Sequence, residues 1–172
     1  MATAVLACAF GASALLLFAA WCDLATRTIP DGVSLALAAL GLLVRALDGS
    51  ASALTSLAVA AGLFAALLPL HARGAFGGGD IKLMTALAIG LPPLATLDFL
   101  LATVTAGGVL GLVYLPLRLL PQPAPLAPQP HAWVPRRVLS IERRRFNRRG
   151  PLPYAVAIAA GGILTLIKAS GG

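Results

Sequence analysis

Gly77-Gly78-Gly79-Asp80-Ile81-Lys82 sets three glycines ahead of an acid, and that acid opens the apolar stretch that runs to Leu91. An ionisable side chain at the edge of a membrane span is costly and is a functional-site candidate by default. Working outward, a second acid, Asp23, closes the first apolar stretch and is followed by Arg27 and by Ile29-Pro30-Asp31. The two acid-bearing junctions decide both the fold and the chemistry.

Of the 172 residues, 59% are hydrophobic and 11% charged, and the mean hydropathy is +0.90. A water-facing surface carries far more charge than this. The chain is therefore expected to be all-α, a polytopic membrane protein forming a single membrane-embedded domain over residues 1–172. The net charge of +7 would suggest nucleic acid in a soluble protein. Here Arg136, Arg137, Arg143, Arg144, Arg145, Arg148 and Arg149 crowd one loop beside membrane spans. Anionic lipid headgroups and membrane topology explain that better than nucleic acid does. Cys8 and Cys22 share one apolar segment without CxxC spacing, so they are expected to be packing thiols rather than a disulfide framework or a zinc knuckle.

Six apolar segments are expected to span the membrane. The first runs from about Ala2 to Cys22; it lacks a basic leading region, and it reads as a retained helix rather than a cleaved signal. Pro30 holds Ile29 extended, so the chain turns before the second segment, Asp31 to Leu47. Arg45 near its end snorkels to the headgroups, pairing with Asp48 at the surface. Asp48-Gly49-Ser50 is a turn. The third segment, Gly49 to Leu70, offers Ala60, Ala61, Gly62, Ala65 and Ala66 for close helix contact. The fourth runs from Asp80 to about Leu91, where Pro92-Pro93 break it. The fifth, about Leu97 to Leu117, carries Gly107 and Gly111 at a spacing suited to tight crossing. A proline-rich connector and the arginine cluster make a cytoplasmic loop at about 119–150, and Pro151 to about Ile167 closes the chain. Alternation puts Arg27, Arg73, Lys82, Arg118 and the seven loop arginines on one side, against Arg45 and Lys168 on the other. By the positive-inside rule both termini face out of the cytoplasm, and Asp23 and Asp80 lie on the cytoplasmic side at the same depth.

Two neighbouring carboxylates that share a proton supply a base for water and an acid for the amide oxygen, because like charges a few ångströms apart resist ionising together. Such a pair titrates as a unit. Gly77 to Gly79, without side chains, are expected to take conformations closed to other residues and to admit a substrate backbone close to the acid. A peptide must be extended to be cut, and it can add as a strand beside that loop. Arg27 and Lys82 serve topology at least as well as the site. His71 is read as interfacial rather than a ligand, since no second His or Cys stands at a metal-like spacing.

This combination resembles the GxGD aspartyl proteases of membranes, and more narrowly the type IV prepilin peptidases. The residues that carry the resemblance are Asp23, Arg27, Ile29-Pro30 and Gly77-Gly78-Gly79-Asp80-Ile81-Lys82-Leu83-Met84, with Gly150-Pro151-Leu152-Pro153-Tyr154-Ala155, Ala157 and Ala160-Gly161 in the last segment. The resemblance implies an aspartic endopeptidase, with Asp23 and Asp80 catalytic and Gly77, Gly78, Gly79, Lys82, Arg27 and Pro30 binding substrate or supporting the site. It implies no cofactor and no metal. The substrate it implies is a small pilin precursor whose basic leader is removed at the cytoplasmic face of the bacterial inner membrane. Small size and a missing four-cysteine domain are similar to the tight-adherence, Flp-type branch, which cleaves without N-methylating. Pilus-assembly machinery is a further candidate partner. Where the family usually has Asn, this chain has Asp31, which either caps the second helix or perturbs the acid pair; the cap is the simpler reading. Two other functions compete: a small ion- or proton-coupled transporter, and a catalytically inactive pilus-assembly scaffold.

Overall fold

In the computed structural model the described residues are 2–119 and 153–171, and they form six α-helices. Residues 120–152, which hold most of the expected cytoplasmic loop and all of the arginine cluster, lie outside the described residues, as do Pro151 and Leu152 of the expected last segment. Among the described residues there is no strand.

The helices are α1 (Ala2–Thr26), α2 (Asp31–Leu47), α3 (Ser50–Ala72), α4 (Gly78–Ile89), α5 (Pro93–Leu119) and α6 (Tyr154–Gly171). Their ends depart from expectation for local reasons. Helix α1 carries on past Cys22 and stops only where Arg27 turns left-handed, at φ 59°, and donates its N–H to the Asp23 carbonyl at 3.0 Å. Asp23 thus sits in the last helical turn, not beyond it. Pro30, with φ −61° and ψ 132°, occupies the N-cap of α2, so Asp31 falls one position inside and makes no capping bond; the expected cap is not formed. Helix α5 begins at Pro93, because proline at a first helical position gives up an N–H that would have no intrahelical partner.

Helix α4 is the centre. Ile81, Leu83, Met84, Ala86, Leu87 and Ala88 are all buried, and a helix apolar on every side belongs inside a bundle. Helices α2 and α3 pack on it from one side. Helix α6 packs on α1 and α5 and also touches α4, while α1 reaches α2, so the halves share one core. Leu16, Leu37, Leu83, Phe99 and Ile158 lie at its heart, each at most 1% exposed.

The outer surface is equally apolar. Phe10, Leu54, Leu94 and Leu112 are each at least 67% exposed, an arrangement suited to lipid. Three helices are long and apolar enough to cross a membrane, over Leu6–Thr26, Ser50–Ala72 and Pro93–Leu115. Helix α4, at 12 residues, extends about 18 Å, against a hydrocarbon core of about 30 Å.

Close helix contact occurs at glycines, though mostly not the expected ones. A β-carbon at Gly41 of α2 would stand 2.7 Å from the Gly90 backbone at the end of α4, and one at Gly161 of α6 would meet the Thr103 backbone nitrogen of α5 at 2.6 Å. Gly107 contacts the Tyr154 ring, but Gly111 faces open space among the described residues. In α3 only Ala60 of the small-residue run is buried; Ala61, Gly62, Ala65 and Ala66 face outward. The helix packs through Ser56, Ala60 and Leu67 instead. Arg45 is not a surface snorkeller: its side chain is 13% exposed. It reaches Asp48 at 2.7 Å and Ser56 Oγ at 2.9 Å, and the Ser56 hydroxyl donates to the Leu91 carbonyl at 2.9 Å. This chain of bonds ties α2, α3 and the α4–α5 turn at the end of the bundle remote from Asp80.

Candidate active site

Alternating helices bring three junctions to one end of the bundle: α1 to α2, α3 to α4, and the start of α6. Asp23 comes from the first, Asp80 from the second and Tyr154 from the third.

Asp23 is buried at 8% exposure. Its Oδ2 accepts a hydrogen bond of 3.3 Å from the Ala155 backbone N–H, at the second position of α6. The positive end of that helix dipole therefore faces the carboxylate. Asp80 is half-buried in the first turn of α4, and its carboxylate accepts a hydrogen bond from the backbone of Gly77, the N-cap residue. It reaches back to the cap in the manner of the acid in a capping box. Asp80 therefore orders the start of α4 while facing the site. The carboxylates of Asp23 and Asp80 repel one another electrostatically, and the Arg27 guanidinium attracts Asp80. Arg27 is held there by a left-handed backbone that costs a non-glycine residue on the order of 1–3 kcal/mol, a strain that gathers at functional sites.

The glycines work through space rather than conformation. Gly77 has φ −68° and ψ 143°, which any residue adopts, and Gly78 and Gly79 are helical; the expected special conformations are absent. A β-carbon at Gly77 would stand 2.9 Å from Asp80 Oδ2, and one at Gly79 would stand 3.3 Å from the Ile29 β-carbon. Gly77 thus leaves room for the carboxylate, and Gly79 lets α4 settle on the Ile29-Pro30 turn. Gly78 lies under His71, whose Nδ1 is 2.9 Å from the Phe76 carbonyl. Pro30 is exposed and sets the α2 start. Lys82 leaves the acid pair and forms a 2.7 Å ion pair with Asp31, both side chains more than half exposed.

Two contributors were not singled out as site residues in the sequence. The Tyr154 hydroxyl lies in the field of Asp80, and its ring stands edge-on to Phe76 at 5.2 Å between centroids. The Ala155 N–H holds Asp23. An aromatic directly after Pro151-Leu152-Pro153 at a helix start was the available signal; a backbone amide leaves none. Among the described residues, no group of three or more His, Cys, Asp and Glu side chains is placed to ligate a metal ion. Two interacting carboxylates at a bundle end have the equipment for acid–base hydrolysis, one in each protonation state.

Residues 10–112 match the model of the type IV leader peptidase family. That span holds both acids, Arg27, the Ile29-Pro30 turn and the glycine run. No curated protein and no solved structure matches the chain.

Proposed function

The chain belongs to the type IV leader peptidase family, and from that premise we propose that it is a membrane aspartyl endopeptidase that cuts the basic leader from small, Flp-like prepilins. It works at the cytoplasmic face of the bacterial inner membrane, with six spans and both termini on the far side. Asp23 and Asp80 share a proton: the ionised carboxylate activates water, and the protonated one donates to the scissile amide oxygen. Arg27 stabilises the charge on the pair, Gly77 to Gly79 support the site by leaving room for the Asp80 carboxylate, His71 and Ile29, and Pro30 sets the turn beside them. Lys82, with Asp31, faces the substrate at the edge of the site; anionic headgroups are the partner of the arginines from Arg136 to Arg149, with pilus-assembly machinery the second candidate.

The observation that carries this reading is the placement of Asp23 and Asp80, from separate helix junctions inside the family match, at one end of the bundle and near enough to repel one another. Co-expression with a small prepilin tests it. Asp23→Asn and Asp80→Asn should each abolish the size shift of the pilin, lowering turnover by at least 1,000-fold, while the membrane level of the enzyme is unchanged. Full processing by either variant sinks the paired-acid mechanism. Zinc chelation should leave processing at its starting rate; inhibition by the chelator would point to a metalloprotease.

A further inference from the structure

Tyr154 opens α6, beyond the residues 10–112 that match the family. Its backbone is fixed from both sides: Pro153 and Ala155 are fully buried, and the Pro153 carbonyl accepts a 3.2 Å hydrogen bond from the Val156 N–H. Its ring is fixed as well. Phe76 stands edge-on to it at 5.2 Å between centroids. Gly107 of α5 comes so close that a β-carbon there would meet the ring Cε2 at 3.0 Å and the hydroxyl oxygen at 3.3 Å. The α3–α4 loop and α5 thus clamp one phenol at the start of α6.

The clamp lies between the anchors of the two acids. Phe76 precedes Gly77, whose backbone bonds the Asp80 carboxylate, and Ala155, the residue after Tyr154, donates its N–H to Asp23 Oδ2 at 3.3 Å. The Tyr154 hydroxyl also lies in the field of Asp80. Packing does not account for that hydroxyl, because a phenylalanine would fill the same clamp. Among the described residues its oxygen has no hydrogen-bond partner, whereas a tyrosine withdrawn from water usually finds one. A rigidly held donor is left available beside two carboxylates.

An amide oxygen has two lone pairs, and the protonated aspartate of the pair engages one. As water adds to the carbon, its proton passes to the ionised carboxylate, the C=O π electrons pass to the oxygen, and the acid's proton follows them. Charge develops on that oxygen in the transition state, where a donor fixed in advance stabilises it most. We infer that the Tyr154 hydroxyl is the second donor to the scissile amide oxygen, bonding the lone pair that the aspartic acid leaves open. The phenol keeps its own proton throughout. The inference rests on the peptidase reading above and adds to it a third catalytic residue, from a helix outside the family match.

Kinetics of the full-length enzyme in membranes, on a small prepilin, test the donor. Tyr154→Phe should lower kcat by about 100-fold and change KM by less than about threefold, the pattern of a bond made only in the transition state. Tyr154→4-aminophenylalanine, which restores a donor at the same position, should recover about tenfold of that loss. Gly107→Ala displaces the ring and hydroxyl without touching either acid, so it should lower kcat by about tenfold in the wild-type background and leave it unchanged in the Tyr154→Phe background. A wild-type kcat for Tyr154→Phe, a loss confined to KM, a loss that the amine does not restore, or equal Gly107→Ala losses in both backgrounds overturns the inference. With Asp23→Asn and Asp80→Asn still inactive, any of these results leaves the peptidase reading standing. A wild-type enzyme that does not cut the prepilin removes that reading, and the donor with it.

Discussion

At Gly77 one added methyl group would stand 2.9 Å from the carboxylate of Asp80, and at Gly79 it would stand 3.3 Å from Ile29. The two contacts predict different outcomes. Gly77→Ala must move the carboxylate that the proposal makes catalytic, so kcat should fall roughly 10–100-fold, in line with the cost of misplacing a catalytic atom by about 1 Å. Gly79→Ala presses on a side chain that can give by tenths of an ångström, and a loss below about tenfold is expected in the same assay of pilin processing. Tyr154→Phe keeps the edge-on contact with Phe76 and deletes the hydroxyl in the field of Asp80, so it should change kcat while leaving thermal stability unmoved. Asp31→Asn breaks an ion pair between exposed groups, and such pairs contribute at most about 1 kcal/mol; unfolding in detergent should shift by no more than that. Much of this site was legible in the residues themselves. An acid closing one apolar run, an acid opening another, and Ile29-Pro30 after the first are local patterns. The Ala155 bond to Asp23 joins residues 132 positions apart, and no local pattern carries it.

Among the helices, the informative positions are the ends. Arg27 stops α1 with a left-handed turn that glycine adopts freely and other residues do not. Arg27→Gly and Arg27→Ala both remove the charge near Asp80, so both should lose activity by a similar factor. Only Arg27→Ala keeps the backbone strain, and it should unfold at lower denaturant, by about 1 kcal/mol. Unequal activity with equal stability would show that the turn, not the guanidinium, matters for turnover. The middle of the bundle offers a comparable test. Gly41 and Gly90 bring the α2 and α4 backbones into direct contact, and Gly41→Ala should destabilise the protein by about 1–3 kcal/mol through overpacking. Helix existence was legible because prolines and short polar breaks separate long apolar runs. Which small residues would meet was not, because Gly111 and the outward alanines of α3 have the same composition as the true contacts at Gly41 and Gly161. Only the rotation of each helix in the bundle distinguishes them.

Among the described residues the molecule is apolar inside and out, and that removes the usual guide to a fold. In a soluble domain the buried stripe of each helix shows which way it faces; here Leu16 at 0% and Leu17 at 59% exposure are neighbours of the same type. The central place of α4 was therefore hidden, although its short apolar run between Gly79 and Pro92 was plain. Charge breaks the symmetry that hydropathy leaves. Eleven of the thirteen basic residues belong to the junctions after α1, α3 and α5, counting Lys82 in the first turns of α4 and Arg118 in the last turn of α5, and only Arg45 and Lys168 belong to the other end. In the proposed topology this bias points the Asp23–Asp80 end toward the cytoplasm, an argument independent of the site chemistry. Single cysteines in a background lacking Cys8 and Cys22 test the orientation. Ala72 and Ser50 are both exposed, at opposite ends of α3. In spheroplasts, a membrane-impermeant maleimide should label Ser50→Cys at once and Ala72→Cys only after the membrane is opened. The reverse order would place the acid pair outside the cell, where a leader still held in the cytoplasm could not reach it, and a prepilin substrate would then be untenable whatever the acids catalyse.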